Sequence, residues 1–187
     1  FAPGGFVGVD VFFVISGFLI TSIIAGDAFQ GRFDIVNFYE RRIRRILPAL
    51  FAVIICSSFV AYAILLPGEL TQYGQSVLAT ALFSSNVYFW LKSGYFDAPA
   101  ESQLLLHMWS LAVEEQFYVV YPLLLIGLIR LLPKSFRGAL ILLLLVSFTL
   151  NLHLTWRFPD AAFYLAPGRM WELLLGALLA LGCNVSV

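Results

Sequence analysis

The chain has 187 residues, of which 61% are hydrophobic and only 12% charged, and its formal net charge is zero. Soluble domains average about 45–50% apolar and about 25% charged residues, so this composition excludes a soluble domain and favours a polytopic membrane protein surrounded by lipid. A net charge of zero also excludes the basic surface by which proteins bind nucleic acid.

Long apolar segments predict an all-α bundle of transmembrane helices, with five to six membrane segments in a single domain covering 1–187. A helix needs about 20 mostly apolar residues to cross a bilayer. Five segments meet this requirement, and they are roughly 6–25, 46–66, 109–131, 138–155 and 167–182. A sixth segment, about 71–91, is long enough but carries several polar side chains.

Basic residues predict the orientation of these spans. The first connection contains Arg41 and Arg45, and the connection Arg130–Arg137 is the next basic one. By the positive-inside rule both are cytoplasmic. The spans 46–66 and 109–131 already supply two crossings between these connections, so a third full crossing would place Arg130 outside. We therefore expect 71–91 to be a re-entrant or interfacial segment, with a full crossing as the alternative.

Three unusual residues lie in the first span, namely Asp10, Ser16 and Gly17. Glycines such as Gly8 and Gly17 permit the close backbone approach found at membrane helix interfaces. Helix packing is the simpler explanation for Ser16 and Gly17. Asp10 is either a functional acid or an interfacial carboxylate near the start of the helix, where it suits the helix dipole.

A basic cluster leads into the second span. Arg42 and Arg45 are three positions apart, so on a helix they share a face, and Pro48 is predicted in the first turn of the span. Two guanidinium groups together suit a diphosphate or a phosphorylated cofactor. From composition alone, an anchor that contacts lipid phosphates is the simpler alternative.

The span 109–131 carries two adjacent acids, Glu114 and Glu115. An acid inside a hydrophobic span costs about 2.5–3.5 kcal/mol on insertion scales, and such residues usually mark a site. Successive helical positions differ by about 100°, so the two acids point in different directions. Ser110, Glu114 and Tyr118 share one face, and His107 one turn earlier is more simply an interfacial or capping residue.

The last span begins with Arg169 and Glu172, three positions apart. They are expected to pair on one helix face. Alternatively, Arg169 is the cation that faces Glu114 or Glu115 across the bundle. The two cysteines, Cys56 and Cys183, lie in apolar runs. They are expected to be packing residues rather than a disulfide or metal ligands, and no metal site is predicted.

The four polar stretches together resemble the acyltransferase-3 family of bacterial membrane O-acyltransferases, which modify surface carbohydrates such as lipopolysaccharide O-antigen, peptidoglycan and exopolysaccharide. The matching stretches, in family order, are GVDVFFVISGFLI (8–20), FYERRIRRILP (38–48), WSLAVEEQFY (109–118) and RMWELLLG (169–176). The sequences of residues 1–5 and 95–101 resemble those of the subset that carries a periplasmic SGNH domain in addition to the membrane domain.

This resemblance implies a multi-pass enzyme of the bacterial inner (cytoplasmic) membrane. It would transfer an acyl group, usually acetyl, from acetyl-CoA as donor substrate to a sugar hydroxyl, with no bound cofactor. The resemblance also implies that Glu114 and Glu115 are the acids of the site and that Arg42 and Arg45 hold the CoA phosphates. We further predict that Asp10 is a catalytic acid and that the substrate path is lined by Ser16, Ser110, Arg169 and Glu172.

One departure from the family pattern stands out. The essential histidine of the family's first membrane helix would precede Phe1, and neither His107 nor His153 lies in the matching motif. The chain is therefore expected to be an excerpt that is inactive alone. Two other functions stay open, namely a non-enzymatic transporter or flippase for carbohydrate or lipid-linked sugar, because intramembrane charges also line transport paths, and a purely structural membrane subunit.

Overall fold

The computed structural model describes residues 7–93 and 103–183, and this part of the chain contains helices and turns without β-strands. The stretches 1–5 and 95–101 noted above lie outside these described residues. In chain order the helices are α1 (Val7–Phe29), α2 (Ile35–Ile64), α3 (Pro67–Ala81), α4 (Ser85–Lys92), α5 (Met108–Leu131), α6 (Phe136–Arg157), α7 (Pro159–Tyr164) and α8 (Ala166–Cys183).

These helices form two compact units. The first contains the described residues before Asp34 and from Glu114 onwards, which include α1, most of α5, and α6 to α8. The second contains the described residues of Asp34–Val113, with α2, α3, α4 and the start of α5. Such units can belong to one domain, so the single domain stays a prediction.

Five helical segments are long and apolar enough to cross a membrane, which confirms an all-α polytopic membrane protein. They are Val7–Phe29, Ile35–Ile64, Met108–Leu131, Phe136–Arg157 and Pro159–Cys183, the last of which joins α7 and α8. The polar segment 71–91 falls instead into α3, with 15 residues, and α4, with 8. Phe83 between them has a φ of 51°, in the left-handed region that breaks a helix.

Helix α2 begins earlier than expected. Asp34 caps it, because its carboxylate accepts a hydrogen bond from the backbone N–H of Val36 at 3.0 Å. The helix therefore already includes the arginine cluster. The expected start near residue 46, with Pro48 in the first turn, is wrong: Pro48 lies inside α2, where it has no N–H to donate to the carbonyl of Arg44.

The closest helix contact in the first unit joins α1 to α8. A Cβ atom on Gly17 would overlap the backbone of Leu173, and one on Gly176 would overlap the backbone of Val14. The packing role predicted for Gly17 is confirmed. The same role is wrong for Gly8, where an added Cβ would meet open space.

Side chains of α6 donate hydrogen bonds to backbone carbonyls at both ends of α8. The hydroxyl of Ser147 donates to the carbonyl of Pro167 at 2.6 Å, and the side-chain amide of Asn151 donates to the carbonyl of Gly168 at 2.8 Å. At the other end, the guanidinium of Arg137 donates to a backbone carbonyl in the last turn of α8 at 3.2 Å. These contacts satisfy polar groups that an apolar environment would leave without partners. The bonds of Ser147 and Asn151 also hold the first turn of α8 in place.

Cys56 and Cys183 carry free thiols, and both side chains are exposed. The packing role expected for them is therefore wrong. They lie on apolar helices whose outer faces have few protein neighbours in the described structure.

Candidate functional site

Glu114 lies at the centre of a buried polar cluster between α1 and α5. The hydroxyl of Ser16 donates to its Oε1 atom at 2.5 Å, and the hydroxyl of Tyr118, one turn further along α5, donates to the same oxygen. All three side chains are buried. The face predicted for Glu114 and Tyr118 is confirmed, and Ser16 joins them from the opposite helix.

Two hydroxyl donors on one carboxylate oxygen fix the orientation of the Glu114 side chain. Hydrogen bonds to an ionised acceptor are roughly twice as strong as those between neutral groups, so the donors also offset part of the cost of burying the acid. Serine and tyrosine hydroxyls both donate and accept, so the cluster can pass a proton along its hydrogen bonds. Such an arrangement suits a group that positions or relays a proton.

A second hydrogen bond joins the same two helices further along. The hydroxyl of Thr21 donates to the hydroxyl of Tyr121 at 2.8 Å, and both residues are buried. The Tyr121 ring stacks on Phe117, with 4.4 Å between the ring centroids. The residue numbers of the bonded pairs increase together along both helices, from Ser16 with Glu114 to Thr21 with Tyr121. Helices α1 and α5 therefore run parallel. Together with the two hydrogen bonds of Glu114, the contact of Thr21 with Tyr121 makes a polar strip between otherwise apolar helices.

The pairing predicted for Arg169 and Glu172 is confirmed. Nη1 of Arg169 lies 2.9 Å from Oε1 of Glu172, and Nη2 lies 2.7 Å from Oδ1 of Asp10 on α1. The guanidinium also lies over the ring of Phe13, at 5.8 Å from its centroid. Asp10 is thus an interhelix partner of Arg169. The alternative pairing of Arg169 with Glu114 or Glu115 stays a prediction.

This second cluster places two carboxylates around one guanidinium. The Asp10 side chain is 36% exposed, whereas that of Glu172 is only 1% exposed. Within the described part of the chain, Oε2 of Glu172 is buried without a hydrogen-bond partner. A buried acid in this setting depends on its single ion pair, so Arg169 determines whether Glu172 can stay charged inside the bundle.

Two further predicted site residues are Glu115 and Ser110. Glu115 is buried beside Glu114 but, as the next residue of the helix, points about 100° away. The hydroxyl of Ser110 donates to the backbone carbonyl of His107 at 3.1 Å, a contact within the first turn of α5. The His107 side chain is exposed in the turn before that helix. The predicted roles of Glu115 and Ser110 in the site stay predictions.

Arg42 and Arg45 belong to the second unit. Both are helical residues of α2 three positions apart, so the shared face expected for them is present; Arg42 is half-buried and Arg45 exposed. Arg44, between them, pairs with Glu40 on the same helix at 2.7 Å. The role of the two arginines in phosphate binding stays a prediction.

Several side chains that hold these helices together were not predicted from the sequence. Thr21 was not singled out, although it holds Tyr121, and neither were Ser147 and Asn151, which hold the start of α8. Each is a small polar residue in an apolar span, and that was the available signal. In the described ranges, no three His, Cys, Asp or Glu side chains are close enough together to hold a metal ion.

The sequence of the chain matches a known family. The family described as an acyltransferase domain (Acyl_transf_3) matches residues 2–182, which is nearly the whole chain. The chain belongs to the acyltransferase-3 family. It is therefore an acyltransferase domain with several helices that are long and apolar enough to cross a membrane. No solved structure matches the chain.

Three relatives illustrate the similarity. An uncharacterised protein of Haemophilus influenzae is 40% identical over 95% of this chain and 76% of its own length. The provisionally named peptidoglycan O-acetyltransferase YrhL of Bacillus subtilis is 36% identical over 96% of the chain, and O-acetyltransferase OatA of Staphylococcus aureus is 34% identical over 95%. The chain spans only 29% and 30% of the length of these two named relatives.

Proposed function

We propose that the protein to which this domain belongs transfers an acyl group, acetyl in the first instance, to a hydroxyl group of a cell-surface carbohydrate. The observation that carries the proposal is the buried Glu114 with its two hydroxyl donors, Ser16 and Tyr118, in a chain of the acyltransferase-3 family. The two named O-acetyltransferase relatives support acetyl as the group and peptidoglycan as the first acceptor to test.

The proposed donor is acetyl-CoA or another acyl-CoA, used as a substrate and not as a bound cofactor. Arg42 and Arg45 lie on one face of α2, next to the basic connection assigned to the cytoplasm. Guanidinium groups bind phosphate through paired N–H donors, so these two residues suit the phosphates of CoA. The bacterial inner membrane is the location that gives an enzyme both cytoplasmic CoA and an outer carbohydrate.

The transfer itself is a simple exchange of bonds. The acceptor hydroxyl oxygen bonds to the acyl carbonyl carbon, the carbon–sulfur bond of the donor breaks, and the thiol leaves with the proton that the hydroxyl lost. Glu114 is proposed to orient the group that takes this proton or to relay it through Ser16 and Tyr118. Asp10, Arg169 and Glu172 would line the path, and a periplasmic SGNH domain in the parent chain would be a partner.

The test uses the full-length parent protein in vesicles, with labelled acetyl-CoA on the cytoplasmic side and a peptidoglycan glycan as acceptor. Glu114→Gln keeps the shape of the side chain but removes its charge, and we expect it to abolish most label transfer while the protein stays folded. Thr149→Val is the matched control, because the Thr149 hydroxyl bonds only to carbonyls of its own helix. Transfer that survives in Glu114→Gln would contradict the role of Glu114.

A carbohydrate transporter is the second candidate, and the Asp10–Arg169–Glu172 cluster favours it, because intramembrane charges also mark substrate paths. In the same vesicles, movement of a labelled glycan without consumption of acyl-CoA would support transport. Wild-type protein that acetylates the glycan without moving labelled glycan across the membrane would exclude it.

A further inference from the structure

The second unit contains a small cleft, lined by both polar and apolar side chains, that the proposed chemistry does not use. It lies between α3, α4 and the turn before α5, and its volume is about 40 Å³. Aromatic, amide and carboxylate side chains share its walls, namely Glu69, Gln72, Tyr73, Tyr88, Phe89 and Gln103. A single water needs about 10–15 Å³ of such volume, so the cleft has room for about three waters, or for one or two hydroxyl groups at the edge of a larger ligand.

Hydrogen bonds hold the walls of this cleft in place. The Tyr73 hydroxyl lies 2.8 Å from the hydroxyl of Ser57 and 3.0 Å from that of Ser58, so α3 is tied to α2. The Tyr88 hydroxyl donates to the backbone carbonyl of Gln72 at 3.1 Å and ties α4 to α3. A ligand site of this kind needs little rearrangement on binding.

The position of the cleft along α2 places it far from the arginine cluster. Leu65, which follows the last residue of α2, lines the cleft. Arg45 lies 20 positions earlier in the same helical stretch. At 1.5 Å per residue this separation is about 30 Å, the thickness of the hydrocarbon core. If the arginines lie on the cytoplasmic side, the cleft therefore opens on the outer side.

We infer that this cleft binds a sugar ring of the carbohydrate acceptor, an inference that rests on the proposed acyltransferase function. Amide and carboxylate groups supply the donors and acceptors that ring hydroxyls need, and tyrosine combines an apolar ring face with a polar tip. One oxygen of Glu69, Oε2, already accepts from the backbone N–H of Leu66 at 3.0 Å and caps α3. The cleft thus joins a capped helix start to a set of sugar-binding groups.

The experiment measures acetyl transfer by the full-length parent protein to a soluble GlcNAc–MurNAc disaccharide, with the acceptor and acetyl-CoA varied in turn. Gln72→Ala removes an amide from the cleft wall. We expect the KM for the disaccharide to rise about fivefold, as the loss of one net hydrogen bond predicts, with the KM for acetyl-CoA unchanged. Thr71→Val is the matched control, since Thr71 lies on the same helix but not in the cleft wall and its hydroxyl donates to the carbonyl of Pro67 at 3.1 Å in that helix, and we expect both KM values to match the wild type.

A second variant guards against a folding defect. Glu69→Gln keeps the cap of α3, because glutamine serves at this position as glutamate does. We expect it to raise the disaccharide KM without lowering the melting temperature. If the wild type is active and the disaccharide KM is unchanged in both variants, the cleft does not bind the acceptor, while the proposed acyltransferase function still stands. A wild type that acetylates no carbohydrate would overturn the proposed function as well.

Discussion

Ser16 and Glu114 are 98 positions apart in the chain, yet the serine hydroxyl lies 2.5 Å from a carboxylate oxygen of the acid. This contact joins α1 to α5 and gives Glu114 one of its two hydroxyl donors; Tyr118 supplies the other. A buried carboxylate that loses a donor keeps its desolvation cost and loses part of the interaction that offsets it. The helix contact and the orientation of the Glu114 carboxylate therefore depend on the same hydrogen bond.

The first prediction concerns this hydrogen bond. Ser16→Ala should lower the free energy of unfolding by about 1–3 kcal/mol, because a bond to a charged group is lost in the interior. Thermal unfolding in detergent measures the change, and the rate of acetyl transfer should fall with it. Ser22→Ala is the matched control on α1, since in the described structure the Ser22 hydroxyl has no hydrogen-bond partner. Equal melting temperatures for the two variants would contradict the prediction.

The second prediction concerns the contact of α1 with α8. A methyl group on Gly17 would overlap the backbone of Leu173, so Gly17→Ala must push the two helices apart. Overpacking of this kind typically costs about 1–3 kcal/mol. Gly8→Ala on the same helix meets open space, and it should be neutral or slightly stabilising because alanine favours the helix more than glycine. Melting temperatures of the two variants give the comparison, and a stable Gly17→Ala would exclude tight packing there.

The third prediction concerns the charge cluster. Arg169→Gln removes the cation between Asp10 and Glu172, and the loss of one partner from a buried pair typically costs about 3–5 kcal/mol. Most of this cost should come from Glu172, which is 1% exposed, and little from Asp10, which is 36% exposed. The double variant Arg169→Gln with Glu172→Gln should therefore recover much of the lost melting temperature. Recovery by Asp10→Asn instead of Glu172→Gln would reverse this assignment.

The sequence predicted the class of fold because apolar length and charge count determine whether a helix can lie in a membrane. It also predicted that Arg169 pairs with Glu172, because positions three apart share a helix face. The interhelix partners could not be read in this way. Nothing in the spacing along one helix indicates that Ser16 meets Glu114 or that Asp10 meets Arg169, since those contacts depend on how α1 packs against its neighbours.

The errors have equally local causes. Pro48 suggested a helix start, but the cap at Asp34 begins α2 earlier, and the proline is accommodated inside the helix. Gly8 and Gly17 look alike in the sequence, yet only Gly17 faces another backbone. Cys56 and Cys183 lie in apolar runs, but their side chains are exposed. An apolar residue of a membrane helix need not be buried in protein, so an apolar run does not by itself predict packing.

The fourth prediction concerns the donor. If Arg42 and Arg45 bind the CoA phosphates, alanine at either position should raise the KM for acetyl-CoA about tenfold, as the loss of a charge-assisted hydrogen bond predicts. The KM for the acceptor should stay unchanged. Arg44→Ala is the matched control, because Arg44 is exposed and pairs with Glu40 on its own helix. A change of the same size in all three variants would indicate a general electrostatic effect of the basic cluster.

The last prediction concerns the topology of the polar segment that contains α3 and α4. The contacts of Ser16 with Glu114 and of Thr21 with Tyr121 make α1 and α5 parallel, so both cross the membrane in the same direction. The chain between them must then cross back an odd number of times. If α2 crosses once, α3 and α4 together make no net crossing, as expected for a re-entrant or interfacial segment.

Labelling of single introduced cysteines tests this topology. In a background with Cys56 and Cys183 replaced by serine, both of which are exposed and inexpensive to change, cysteines are placed at Gln30, Gly68 and Lys134. A membrane-impermeant thiol reagent should label positions 30 and 134 only from the cytoplasmic side and position 68 only from the outside. Labelling of positions 30 and 134 from opposite sides would show that α3 and α4 cross the membrane, and it would contradict the parallel arrangement of α1 and α5.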